Sequence, residues 1–154
     1  MFGRGQGINY SGIPKLVAPE ISLGGNFTYD INGQYYSTTK VYGYIKKKSC
    51  KFSYMFLLGL LNSKLFWFFI KNTGYVLRGG YYTFKTNYIY PFPIPNYDCI
   101  KQELISKVEK EVELILASKR KEKDINLSNS LNTIDTYLYK IYGFNNEDIL
   151  TIEK

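Results

Sequence analysis

From Ser53 to Lys71 the chain reads Ser-Tyr-Met-Phe-Leu-Leu-Gly-Leu-Leu, then Asn-Ser-Lys, then Leu-Phe-Trp-Phe-Phe-Ile-Lys. No other stretch restricts the possible folds so severely. Side chains this apolar must leave water, either into lipid or into a protein core. Asn62, Ser63 and Lys64 stand at the centre of the run, where a single charge in a bilayer costs roughly 2.5–3.5 kcal/mol on insertion scales. A buried aromatic helix with one polar stripe fits the pattern, and no membrane partner is expected.

The flanking segments read as short strands before this helix and as helices after it. Residues 15–23 form an early strand that Pro19 confines to an edge or a bend. Phe27, Tyr29 and Ile31 alternate with polar residues up to Asn32-Gly33, a hairpin signal, with a return strand over 34–38. A further strand over 41–45 leads into Lys46, Lys47 and Lys48. Past Pro91, Pro93 and Pro95, which force an extended connector, Ile100, Leu104, Val108, Val112, Ile115 and Leu116 mark an amphipathic helix to Lys121. Asp98 is its expected N-cap, and Glu103, Glu109, Glu111 and Glu113 its solvent side. After a polar linker over 121–129, a last helix runs over 131–142, with Gly143 as its stop; Asn145 or Asn146 caps a short final turn. The expected fold is α+β. It comprises a small twisted, mainly antiparallel sheet with a buried aromatic helix, then a long amphipathic helix and a C-terminal helical segment. Residues 1–98 form one unit, and residues 99–154 a helical extension packing on it.

Charge divides at the same place. Residues 1–98 hold 11 Lys and Arg against 3 acids, Glu20, Asp30 and Asp98, and they also carry 23 of the 27 aromatic rings. Residues 99–154 hold 9 basic and 10 acidic side chains. A basic, tyrosine-rich front half on a near-neutral support suits a polyanion. With no histidine in the chain, His metal sites, Ser-His-Asp triads and Cys-His pairs are excluded. Cys50 and Cys99 are too few for a zinc site or a disulfide framework. The first seven residues lack the apolar core of a cleavable signal peptide, so the cytoplasm is the expected compartment.

The segment most suited to binding is Val76-Leu77-Arg78-Gly79-Gly80-Tyr81-Tyr82-Thr83-Phe84-Lys85. It places two cations, two glycines and two tyrosines directly behind the aromatic helix. Arg and Lys side chains suit phosphates and base edges. Tyr81 and Tyr82 should face opposite ways in an extended segment, leaving one ring available, and we assign Tyr82 to the contact. Gly3-Arg4-Gly5-Gln6-Gly7 is not a phosphate loop, because no strand precedes it and no helix follows. Arg4 and Gln6 are instead expected to touch a groove or backbone.

In chain order these residues are similar to a known family, the TaqI-like C-terminal specificity domain of adenine-N6 DNA methyltransferases and fused restriction–modification enzymes. The resemblance begins at Phe2-Gly3-Arg4-Gly5-Gln6-Gly7 and continues through Pro14-Lys15-Leu16-Val17-Ala18-Pro19-Glu20-Ile21-Ser22. It includes Leu57-Leu58-Gly59-Leu60-Leu61-Asn62-Ser63, Arg78-Gly79-Gly80-Tyr81, Pro93-Ile94-Pro95, and Ile134-Asp135 through Tyr142-Gly143-Phe144. It implies a domain that reads DNA for a catalytic partner. The Asn/Asp-Pro-Pro-Tyr/Phe motif and the glycine-rich cofactor loop of such methyltransferases are missing, as is any nuclease cluster. The chain itself is therefore expected to hold no catalytic residue, no metal and no cofactor.

The expected activity is sequence-specific binding of double-stranded DNA beside a methyltransferase, and possible nuclease, domain of a parent enzyme. Expected contacts are Arg4, Gln6, Lys40, Lys46, Lys47, Lys48, Arg78, Tyr82 and Lys85. Two alternatives stay open at this point. One is a single-strand or RNA-binding module that stacks bases on tyrosines. The other is an assembly module that pairs the helix over 100–121 with a partner.

Overall fold

One strand path serves two sheets. In the computed structural model, which describes residues 10–35, 40–122 and 125–154, Lys15–Pro19 forms β1, and Ile21–Ser22 (β2) continues it. Thr28–Asp30 (β3) and Val41–Tyr44 (β4) pair antiparallel on either side of β1, with Leu16 opposite both Tyr29 and Tyr44. β2 pairs instead with Tyr82–Thr83 (β5). β1 is central in its sheet, but β3 pairs it only as far as Val17, so Pro19 is flanked on one side alone, by Val41. The bend expected of it falls at Glu20, whose N–H donates to the Lys40 carbonyl at 2.8 Å while its own carbonyl accepts the Phe84 N–H at 2.7 Å. That residue hands the chain from the first sheet to the second.

The expected hairpin over 27–38 is corrected. Asn32-Gly33 does turn the chain, with Gly33 at φ +67°, but β3 pairs with the distant β1. Gln34 and Tyr35 are not strand residues; both their N–H groups donate to the Asp30 carboxylate at 2.9 Å. The rest of the expected return strand, 36–38, lies outside the described residues. The same carboxylate meets Lys15 Nζ at 2.9 Å, with both side chains almost fully buried. Lys15 also donates to the carbonyls of Tyr10 and Ile13, so its buried charge is well compensated.

The apolar run is also corrected: it folds as two helices bent by 57°, Tyr54–Leu61 (α1) and Lys64–Thr73 (α2). The polar triplet is the break between them, not a stripe along one. Ser53 and Ser63 each accept the N–H of the residue three positions on, capping the two helices. Asn62 turns away and binds the Phe27 backbone through both its N–H and its carbonyl, at 2.9 and 3.0 Å. No single helix among the described residues is long and apolar enough to cross a membrane.

A short helix, Thr86–Ile89 (α3), leads to the proline connector, where Phe92 is buried edge-on to Phe66 and Phe69. The long helix is Gln102–Lys121 (α4), followed by Ser128–Tyr142 (α5) and Asn146–Ile152 (α6). Asp98 does not cap α4. It sits in a single 3-10 turn over Tyr97–Cys99, and Lys101 occupies the cap position with no side-chain bond. Gly143 (φ +72°) ends α5, and Asn145 with Asp148 builds a capping box on α6.

Helices and sheets share one core. Phe56, Leu60, Phe66, Ile70 and Phe84 are completely buried, and Val108 and Leu138 join them from α4 and α5. α1 meets α4 at Gly59, where an added Cβ would lie 2.9 Å from Val112 and 3.1 Å from Val108. Glu109 departs from the expected solvent face: it accepts the Ser53 hydroxyl at 2.5 Å. The architecture is α+β, as expected.

Candidate nucleic-acid interface

A β-hairpin rises directly from the end of α2. Thr83 N–H donates to the Tyr75 carbonyl, Val76 bridges Tyr82, and Leu77 N–H donates to the Tyr81 carbonyl at 2.6 Å. Gly80 N–H closes the tip onto the Leu77 carbonyl at 3.1 Å. This turn holds Gly79 at φ +88° and Gly80 at φ +81°, conformations that side-chain-bearing residues rarely adopt. Arg78 stands exposed at the tip.

Tyr82 and Tyr81 differ in exposure, as an extended segment requires. Tyr82 is half-buried, edge-on to Trp67 with ring centroids 5.2 Å apart, and anchors the hairpin to α2. Tyr81 is the exposed ring. Its edge lies along the tip, since a Cβ added at Gly79 would sit 3.5 Å from Tyr81 Cδ2. Sequence alone signalled that one of the two would be free, but not which.

At the foot of the hairpin the Glu20 pivot gathers two further expected contacts. Lys85 Nζ lies 3.7 Å from the Glu20 carboxylate, and the Lys40 carbonyl holds the Glu20 N–H. Burial, and then the Glu20 charge, push the Tyr42 hydroxyl above its ordinary pKa. Tyr44 ties the two sheets together by donating to the Phe84 carbonyl at 2.7 Å; burial raises its pKa strongly. Lys85 and Lys40 therefore meet at Glu20, while Arg78 stands at the opposite end of the hairpin.

The lysine cluster is separate, beyond the end of β4 opposite to Lys40. Lys46 is tied down: its Nζ donates to the Phe52 carbonyl at 2.9 Å and lies 5.6 Å from the Tyr54 ring centroid. Lys47 and Lys48 are exposed. Arg4 and Gln6 lie outside the described residues.

Three ion pairs sharpen the electrostatics. The front half has three acids, and each is paired to a lysine of that half: Glu20 with Lys85, Asp30 with Lys15, Asp98 with Lys51. Arg78 forms no ion pair among the described residues, so its charge faces solvent uncompensated. The described residues contain no group of three His, Cys, Asp or Glu side chains placed to hold a metal ion. A cleft of about 660 Å³ lies apart from the hairpin, where the α1–α2 break meets α4 and α5.

No curated protein matches this chain. The family model of the TaqI-like C-terminal specificity domain matches residues 3–94, which contain both sheets, α1, α2 and the hairpin. The chain belongs to the TaqI-like C-terminal specificity domain family, whose role in methyltransferases is DNA recognition.

Proposed function

We propose that this chain binds duplex DNA sequence-specifically, as the target-recognition domain of a restriction–modification adenine-N6 methyltransferase of the type IIG kind. Catalysis and its cofactor belong to the parent's methyltransferase domain, and this chain contributes neither. The compartment is the cytoplasm, where such DNA is found. One observation carries the reading: an uncompensated Arg78 on an exposed hairpin tip, in a half whose acids are all engaged elsewhere.

In this reading Arg78, Lys85 and Lys40 grip one stretch of duplex. The Lys85–Glu20 pair is exposed and long, so it gives way easily to a phosphate. Lys47 and Lys48 reach backbone further along, with Lys46 bracing their loop, and Arg4 and Gln6 add contacts from the N-terminal arm. Tyr82 acts by holding the hairpin against Trp67.

Duplex affinity of the whole chain, measured across a salt series, tests this. Arg78→Ala and Lys85→Ala should each weaken binding, and Lys85→Ala should lower the log–log salt slope by about 1. Single-stranded competitor should displace duplex poorly. Equal competition by single strands, which the exposed Tyr75, Tyr81 and Tyr90 would favour, overturns the duplex reading.

A further inference from the structure

The hairpin tip presents a second chemistry beside its cation, and it rests on the duplex reading above. Tyr81 is 43 % exposed, yet its ring is held along the glycine tip next to Arg78. The hydroxyl of that tyrosine suits a phosphate, but its ring face offers a contact that phosphates cannot use. An apolar group facing duplex DNA finds an apolar partner on base edges in the thymine 5-methyl group, which lies in the major groove. A two-stranded ribbon fits that groove, about 12 Å wide, and the minor groove offers no thymine methyl to meet.

We propose that the hairpin over 75–82 enters the major groove and reads a two-base-pair step. Arg78 donates both arms of its guanidinium to O6 and N7 of a guanine. The Tyr81 ring packs on the 5-methyl of a thymine in the adjoining pair. The positive φ of Gly79 and Gly80 keeps the tip free of side chains, so the backbone approaches the base edges closely. Tyr82 on Trp67 fixes the angle of entry. Arg78 and Tyr81 are thereby specificity-determining residues, while Lys85 and Lys40 set the register on the backbone.

The test begins with selection of bound duplexes from a random pool by the whole chain. The selected site should contain a guanine next to a T·A pair. Replacing that guanine by 7-deazaguanine should weaken wild-type binding roughly tenfold, and replacing the thymine by uracil should weaken it by a smaller factor of about two to five. Tyr81→Ala should abolish the uracil effect and keep the deazaguanine effect; Tyr81→Phe should keep both. Arg78→Ala should lose the deazaguanine effect. A selected site without such a step, or wild-type affinity indifferent to both base analogues, overturns this assignment while leaving duplex binding intact. Failure to enrich any duplex overturns the DNA reading itself, and the assignment with it.

Discussion

Asn62 holds the backbone of Phe27 from both sides, accepting its N–H at 2.9 Å and donating to its carbonyl at 3.0 Å. The same amide also donates to the Leu58 carbonyl at 3.0 Å, so one side chain closes α1, opens the break before α2 and pins the chain entering β3. Asn62→Ala should lower stability by about 2–3 kcal/mol, because groups left without partners away from water cost about 1–3 kcal/mol each. Denaturant titration reads the loss as a lower midpoint at unchanged slope.

Lys15 and Asp30 form a nearly water-free ion pair. Lys15→Met should cost about 3–5 kcal/mol by stranding the carboxylate. Burial alone would raise the Asp30 pKa, but the Tyr35 amide, Lys15 and the Gln34 amide outweigh it and hold the group below its ordinary 3.8. A depressed carboxyl stabilises the fold above the unfolded value and loses that contribution as pH falls through the folded one. Acid unfolding of the wild type should therefore extend below pH 4, and Asp30→Asn should remove that limb from the stability profile.

Asp135 behaves in the opposite sense. Burial raises its pKa to about 6, against the Lys64 amide and charge, with Glu153 adding to the rise. A raised carboxyl binds its proton more tightly when folded, so stability is greatest below the unfolded 3.8 and declines as pH rises through 6. Asp135→Asn keeps the acceptor for Lys64 N–H at no charge. Its melting temperature should match wild type near pH 4 and exceed it by pH 7, by a gain of at most about 3 kcal/mol.

Trp67 is the wall behind the hairpin. Trp67→Ala should loosen residues 75–82 and speed proteolytic cleavage at the tip. It should weaken duplex binding several-fold while the salt slope stays unchanged, since no cation is removed. A changed slope would mean that Trp67 acts on the charged contacts directly.

Where neighbours in sequence decide the outcome, the chain was legible. Gly143, Asn145 and the periodicity of α4 and α5 placed the helical end closely. Distant partners decided the rest. Asn32-Gly33 carries a hairpin signal, but the partner of Asp30 in β3 lies fifteen residues back along the chain, at Lys15, and the Asp30 carboxylate takes the N–H groups of Gln34 and Tyr35. Asn62 reads as a polar interruption until Phe27 is seen beside it. Nothing adjacent in sequence signals the burial of Lys15; only the folded arrangement supplies the carboxylate and carbonyls that let it be buried. Alternation divided Tyr81 from Tyr82, and only the position of Trp67 settled which ring was taken inward.

The positive-φ glycines at the hairpin tip touch little beyond their own loop: an added Cβ at Gly80 would meet nothing within 4 Å, and one at Gly79 only the Tyr81 ring. Residues facing outward from this tip can thus be exchanged without disturbing the buried framework, and on the proposed duplex reading a few such exchanges would suffice to alter the target.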